Sequence, residues 1–276
     1  MNFLELREKY PEFSYNWYKI EENENEYKIT YEFEIKGLSK FNPTWTIPKM
    51  DKSKNNIPNK ELLENMVFNL GMVELVSYWK ITCAPHVTVK NIYLSQKQID
   101  WWKKLYFYGL GEFFYKNNIK TNIDEFMNIT AGTNKLLKSE INISDEFTGA
   151  LVPIGGGKDS IVTLNVIKDD FANNMCYVIN PRGATEETAE TAGYGENKRC
   201  YVKRTLDKNM LELNKQGYLN GHTPFSSIVA FSALIVAYLN KKKYIVLSNE
   251  ASANESTIYE EEVNHQYSKS YEFEQD

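Results

Sequence analysis

Early in the chain hydrophobic and polar positions alternate: Ile29, Tyr31, Phe33 and Ile35 are separated by Thr30, Glu32 and Glu34. A period of two predicts a strand with one buried and one wet face, and strands are expected across 15–47, with the polar run 21–26 as a hairpin turn. Pro43, Pro48 and the polar cluster 51–60 end this β-rich region. The period then changes. Two helical patterns follow, 61–79 and 96–115, the second carrying Trp101, Trp102, Leu105, Tyr106, Leu110, Phe113 and Phe114. An aromatic stripe at helical spacing reads first as core, with a stacking surface as the alternative. His86 has no partner at metal-ligand spacing and reads as structural.

Beyond a polar segment at 130–148 the pattern changes again. Short apolar runs at 150–154, 176–179, 199–203 and 244–248 are separated by helical stretches, the signature of a parallel sheet covered by helices. Asp207 is placed to cap a helix over 208–216 with Gly217 behind it, and Thr223, followed by Pro224 at the first helical position, to open another over 225–239. The expected organisation is a β-rich region 1–58, a helical, aromatic-rich region 59–146 packing with it, and a nucleotide-binding domain 147–276. The fold class is α/β, a parallel sheet with helices on both faces preceded by an α+β part.

Charge and cysteines remove several function classes. A net charge of -5 over 276 residues gives no general attraction for nucleic acid, and no nucleic-acid partner is expected. The N-terminus carries Glu5, Arg7, Glu8 and Lys9 where a secretory signal needs an apolar run, and no stretch has the eighteen or so apolar residues of a membrane span. A cytoplasmic protein without membrane contact is expected, and 226–239 reads as a buried helix. Cys83, Cys176 and Cys200 fit no CxxC spacing, so buried thiols are expected rather than disulfides or a protein-held metal.

The chemistry concentrates in ALVPIGGGKDSIVTLNVI at 150–167. Three glycines between a strand and a helix let backbone N–H groups approach an anion, and the helix adds the positive end of its dipole. Val152 and Asp159 stand where a Walker loop needs Gly and Ser or Thr, and Ser160 where a dinucleotide fingerprint needs its last Gly, so both of those motifs are excluded. Lys158, Asp159 and Ser160 add a cation, a magnesium-facing carboxylate and a hydroxyl.

GGGKDS resembles the SGGxDS signature of the PP-loop ATP pyrophosphatases, with Gly155 in the place of the leading Ser. The segments GHTPFSSIVAFSALIVAYLN at 221–240, YIVLSNEASANEST at 244–257, VNHQYSKSYEFE at 263–274 and WWKKLYFYGLGEFFY at 101–115 resemble the ATP-dependent UDP-N-acetylmuramoyl-L-alanyl-L-glutamate epimerases of peptidoglycan synthesis. That resemblance implies a parallel PP-loop sheet, ATP and Mg2+ as cofactors, and a UDP-muramoyl dipeptide as substrate. Its terminal L-Glu would be inverted through an acyl adenylate, with release of AMP and pyrophosphate. Nucleotide-binding residues carry over as Gly155, Gly156, Gly157, Lys158, Asp159 and Ser160. Members of that family extend beyond the point where this chain ends, so a partner chain supplying a missing C-terminal part is an expectation. Another PP-loop adenylating enzyme, an amidotransferase or tRNA-modifying enzyme, and a catalytically incomplete nucleotide-binding subunit are the alternatives.

Catalytic groups are assigned by position along the chain: Glu250, His265 and Lys269 as candidates for moving the α-proton, with Glu255 nearby. Arg182, His222, Asn249 and Asn254 are the candidates for binding substrate. The acidic residues Glu186, Glu187 and Glu190 read as charges complementing a helix dipole.

Overall fold

The computed structural model describes residues 1–51, 58–90, 92–132, 135–137, 146–249, 251–255 and 267–276. Its first part runs α1 (Phe3–Lys9), β1 (Glu12–Glu22), β2 (Glu26–Ile35), β3 (Ser39–Phe41), β4 (Thr44–Pro48), α2 (Lys60–Trp79), β5 (His86–Val89), α3 (Gln96–Gly109), α4 (Gly111–Lys116) and β6 (Asn128–Ala131). The second runs β7 (Ala150–Pro153), α5 (Lys158–Val166), β8 (Met175–Ile179), α6 (Gly183–Thr191), β9 (Arg199–Thr205), α7 (Lys208–Lys215), α8 (Phe225–Leu239), β10 (Tyr244–Ile245) and α9 (Tyr271–Gln275).

The strands form one mixed sheet in the order β10-β7-β8-β9-β4-β2-β1-β5-β6, with β3 added to β2. β10, β7, β8 and β9 are mutually parallel, as are β1, β5 and β6. The two parallel groups are joined through antiparallel pairings, β9 to β4, β4 to β2 and β2 to β1. The expected alternation along β2 is realised: Tyr31, Phe33 and Ile35 are fully buried, while Thr30, Glu32 and Glu34 are not. At the turn between β1 and β2, Asn23 Oδ1 accepts from the backbone N–H groups of Asn25 and Glu26.

Helices cover both faces of the β7–β9 group. On one, Val152, Ile154, Cys176 and Val178 pack with Leu164 of α5 and Ala189 of α6. On the other, Leu151, Tyr177, Cys200 and Val202 join α8 in a larger core that continues across α2, α3 and the strands of the first half. α2 sits between β1, β2 and α8; its first half keeps a partly exposed face at Glu61, Glu64, Asn65 and Asn69, while Leu70 to Trp79 is buried on all sides. A stretch of helix without a wet face is expected only at the centre of a core. The aromatic stripe of the second helical pattern is core here too, with Trp102, Tyr106 and Phe113 buried.

Three boundaries differ from expectation. The helix expected over 96–115 divides at Leu110, whose φ of -100° and ψ of 9° leave helical geometry. The break lies beside Gly109, where a Cβ would sit 2.7 Å from Pro224. Thr223 does not cap α8: Pro224 holds the cap position, no side chain caps the helix, and Ser227 donates backbone and hydroxyl hydrogen bonds to the Pro224 carbonyl. Proline at the cap pushes Thr223 one residue too far out. The last strand pairs over only two residues, Tyr244 and Ile245, with β7. All three cysteines are buried and free.

One polar cluster lies inside the larger core. Glu74, in the middle of α2, is fully buried, and its carboxylate accepts from Arg204 Nε (2.5 Å) and Nη2 (2.7 Å) and from Trp45 Nε1 (2.8 Å). Trp45 and Arg204 oppose each other across the β4–β9 seam. Burial alone lowers the Arg204 pKa, but the Glu74 carboxylate outweighs it and holds the guanidinium above its ordinary value.

Removing the carboxylate leaves a buried cation, and Glu74→Ala is expected to cost about 3–5 kcal/mol in urea unfolding, whereas the apolar pair Glu74→Leu with Arg204→Met restores most of it. Lys80, at the end of α2, is buried with its ammonium donating to the Gly221 carbonyl, and burial pushes its pKa down to about 8. The folded state therefore releases this proton before the unfolded state does. Stability relative to Lys80→Met should rise as the pH is raised from about 8 to 10.5 and be lost again as it falls through that window, which paired denaturation curves at pH 7.5 and 10 will show.

Candidate nucleotide and substrate site

Because β10, β7, β8 and β9 are parallel, their carboxyl ends lie along one edge, where an open α/β sheet forms its ligand crevice. A cavity of about 660 Å3 lies there, within the size range of small-molecule sites. Each strand end contributes to it: Ile154 and Gly155 after β7, Asn180 and Arg182 after β8, Arg204 and Leu206 at the end of β9, and Leu247 to Asn249 after β10. Phe225 and Val229 of α8 and the turn at Ser268 and Lys269 close it.

The glycine loop leads into α5, with Gly157 at the cap position and no side chain capping the helix. Gly155 donates its backbone N–H to Ser160 Oγ at 3.0 Å, and Ser160 is buried, so this hydroxyl closes the loop on itself. The three glycines differ in what demands them. Gly156 has a φ of +81°, and a Cβ there would lie 3.2 Å from Ala184 and Thr185 at the start of α6. Gly155 and Gly157 need no left-handed backbone, and a Cβ on either would meet nothing within 4 Å. The fold requires glycine at 156, while positions 155 and 157 leave open space beside the backbone at the cavity.

Lys158 is exposed and pairs with Asp159 at 2.9 Å. An exposed pair of this kind contributes at most about 1 kcal/mol to stability. After β8, Asn180 adopts a positive φ of 49°. Its side chain accepts from the Arg204 backbone N–H and donates to the Arg204 carbonyl, both at 2.9 Å, tying the ends of β8 and β9 together. Ser248, beyond β10, shares a 2.7 Å hydrogen bond with Thr163 of α5.

Of the residues expected at the site, Gly155, Gly157, Asp159, Ser160, Arg182, Asn249 and Lys269 line this one cavity. Gly156 and Lys158 belong to the same loop, Gly156 backed against α6. His222 is elsewhere: its Nδ1 lies 3.2 Å from Glu112 of α4, which is also paired with Lys116. Asn254 is turned to a local task, accepting from the Tyr271 backbone N–H at 2.7 Å, and Glu255 is exposed. His222 and Asn254 thus each meet a polar partner outside the lining of the cavity. Glu250 and His265 lie outside the described residues. Glu186 falls in the first turn of α6, and Glu190 pairs with Arg199.

Sequence reasoning missed Asn180, Thr185 and Arg204. Arg204 was obscured because the apolar run of β9 stops at Val202, so the strand is predicted to end at 203 and the next residue drops out of consideration. Among the described residues no group of three or more His, Cys, Asp or Glu side chains is arranged to hold a metal, and no helix is long and apolar enough to cross a membrane.

Residues 5–276 match the family described as the MurL N-terminal domain. Three curated relatives are each named UDP-N-acetyl-alpha-D-muramoyl-L-alanyl-L-glutamate epimerase. The protein from Salinispora tropica is 28% identical over 240 residues, 86% of this chain and 51% of its own length. The one from Xanthomonas oryzae pv. oryzae is 29% identical over 208 residues, 75% and 45%. The one from a Micromonospora species is 31% identical over 207 residues, 74% and 45%. The chain thus spans about half the length of the curated relatives it matches. No solved structure matches.

Substitution separates the roles of the glycines. Gly156→Ala is expected to destabilise by about 1–2 kcal/mol, from its left-handed backbone and the close approach to α6, whereas Gly157→Ala leaves the unfolding midpoint within about 0.5 kcal/mol of wild type. Urea denaturation of the two variants side by side checks this.

Proposed function

We propose, from the premise that this chain belongs to the MurL N-terminal domain family, that it forms the nucleotide-binding part of an ATP-dependent epimerase acting on UDP-N-acetylmuramoyl-L-alanyl-L-glutamate. The observation that carries the reading is the glycine loop at the carboxyl end of β7, which opens on the cavity with unfilled space beside Gly155 and Gly157. Glycines that the fold does not need are explained by a ligand that approaches the backbone closely. The dipole of α5 and the Lys158 ammonium favour an anion there, as the phosphates of ATP require.

The loop suits a PP-loop role with one adjustment. In the absence of the leading hydroxyl, Gly155 gives its N–H to Ser160, leaving phosphate recognition to the backbone around Gly156 and Gly157 and to Lys158. Mg2+ fits as an ion that arrives with the nucleotide, since it is commonly held by one or two carboxylates plus phosphate oxygens, and Asp159 supplies such a carboxylate at the cavity.

ATP supplies activation: converting the terminal glutamate carboxylate to an acyl adenylate removes its negative charge and makes the α-hydrogen more acidic. The chain's own groups would then hold and move protons. Lys269, one of the residues lining the cavity, is the proposed group on one face of the α-carbon, while Glu250 or His265 is assigned to the other from sequence alone. Arg182 and Asn249, on opposite sides of the loop, are placed to bind the peptide portion. The reaction belongs to the cytoplasmic stage of peptidoglycan synthesis. The remaining half of the relatives' length would supply further parts of the site.

Calorimetric titration with ATP and magnesium should show binding by the wild type and at least tenfold weaker binding by Gly157→Val, at a position where an added Cβ meets nothing within 4 Å, with its unfolding midpoint measured alongside. With UDP-N-acetylmuramoyl-L-alanyl-L-glutamate and ATP in deuterated water, AMP release and deuterium at the glutamate α-carbon should appear together and be lost together in Asp159→Ala. Absence of nucleotide binding overturns the reading.

A further inference from the structure

The Glu74–Arg204 pair leaves one edge of the guanidinium unused. Its Nε and Nη2 are taken side-on by the Glu74 carboxylate, and Nη2 also points at Ser77 Oγ at 3.5 Å. Nη1 has no hydrogen-bond partner among the described residues and is not a buried unsatisfied atom. The side chain is only 11% exposed, yet Arg204 lines the cavity. What remains without a protein partner among them is Nη1, on a side chain that lines the cavity. Its N–H groups can donate to a carboxylate, a charge-assisted contact of the strong kind.

Every other direction around the group is fixed. The Trp45 and Phe225 rings each lie 5.9 Å from its central carbon, and Asn180 holds the Arg204 backbone by two hydrogen bonds. A cation held this rigidly loses little entropy when it binds an anion. Among the described lining residues the cations Arg182, Arg204 and Lys269 face a single carboxylate, Asp159, and with Glu74 set against Arg204 the balance stays positive, which favours an acidic ligand.

We infer that the free edge of Arg204 receives the side-chain carboxylate of the substrate's terminal glutamate and so sets the preference for glutamate over glutamine. This rests on the epimerase reading for the identity of the substrate. The position separates it from the phosphates: β8 lies between β9 and β7, which puts Arg204 two strand spacings, roughly 10 Å, from the glycine loop. The carboxyl group to be activated must reach the loop, and the glutamate's second carboxylate is then the one left for Arg204. Glu74 is a positioning residue that acts through Arg204.

The test compares binding of UDP-N-acetylmuramoyl-L-alanyl-L-glutamate with its L-glutamine counterpart, and of ATP with magnesium, by calorimetry on the full chain. Wild type should prefer glutamate by about tenfold or more. The double variant Glu74→Leu with Arg204→Met should bind both peptides alike and leave ATP affinity unchanged. If that variant does not fold, Arg204→Lys, which keeps the charge but cannot hold Glu74 side-on and still present a second nitrogen, should shrink the preference at least threefold with ATP binding intact. A preference that survives in the variants overturns the inference. A loss of ATP affinity without change in the peptide preference overturns it as well and makes Arg204 a phosphate group. Wild-type binding of ATP but of neither peptide sinks the inference and spares the nucleotide reading. Failure of ATP to bind, with the peptide preference lost in the variants, does the reverse.

Discussion

Glu74 is a fully buried charge in the half of α2 that has no face in water, and the arrangement around it follows from that. An unpaired buried carboxylate is not sustainable, so α2 can sit where it does only if Arg204 from β9 and Trp45 from β4 reach it together. Those two residues oppose each other at the seam between the two parallel groups of strands. The same ion pair therefore satisfies the core helix, fixes the register at which the two halves meet, and sets the orientation of a side chain that ends at the cavity. Packing, topology and the candidate site share one constraint.

The glycine loop is more independent of its surroundings. It is anchored by Gly156 against α6 and by the hydrogen bond from Gly155 to Ser160, and its remaining glycines are not required by any contact within the chain. Around it, Asn180 in a left-handed conformation and the hydrogen bond between Ser248 and Thr163 tie neighbouring strand ends and α5 to one another. Short local devices of this kind keep a site in place when the strands beneath it, β7 and β10 above all, are only a few residues long.

Much of this was legible in the residues. The alternation in β2, the apolar runs of β7, β8 and β9, the Asp207 cap and the strand, loop and helix around the glycines all express local preferences that survive in the structure, because burial of one face or a neighbouring cap decides them. The antiparallel seam between β4 and β9 was not legible, since neither strand carries a sign of its partner and the carboxylate that both Trp45 and Arg204 reach, Glu74, lies on another element. His222 and Asn254 fall outside the lining of the cavity, each with a polar partner of its own, Glu112 and the Tyr271 N–H respectively, and sequence does not show what is nearest. Arg204 was hidden for the opposite reason: a basic residue next to a strand reads as surface until its carboxylate is found.

The seam also governs the order of events during synthesis. β4 and β9 are separated by more than half of the chain, so when β4 leaves the ribosome its hydrogen-bonding edge has no partner on that side until β9 follows. For that interval Trp45 and the apolar underside of α2 form an unfinished surface, with Glu74 lacking its counter-charge. An unpaired strand edge beside an uncovered apolar helix is the kind of surface through which a partly made chain aggregates.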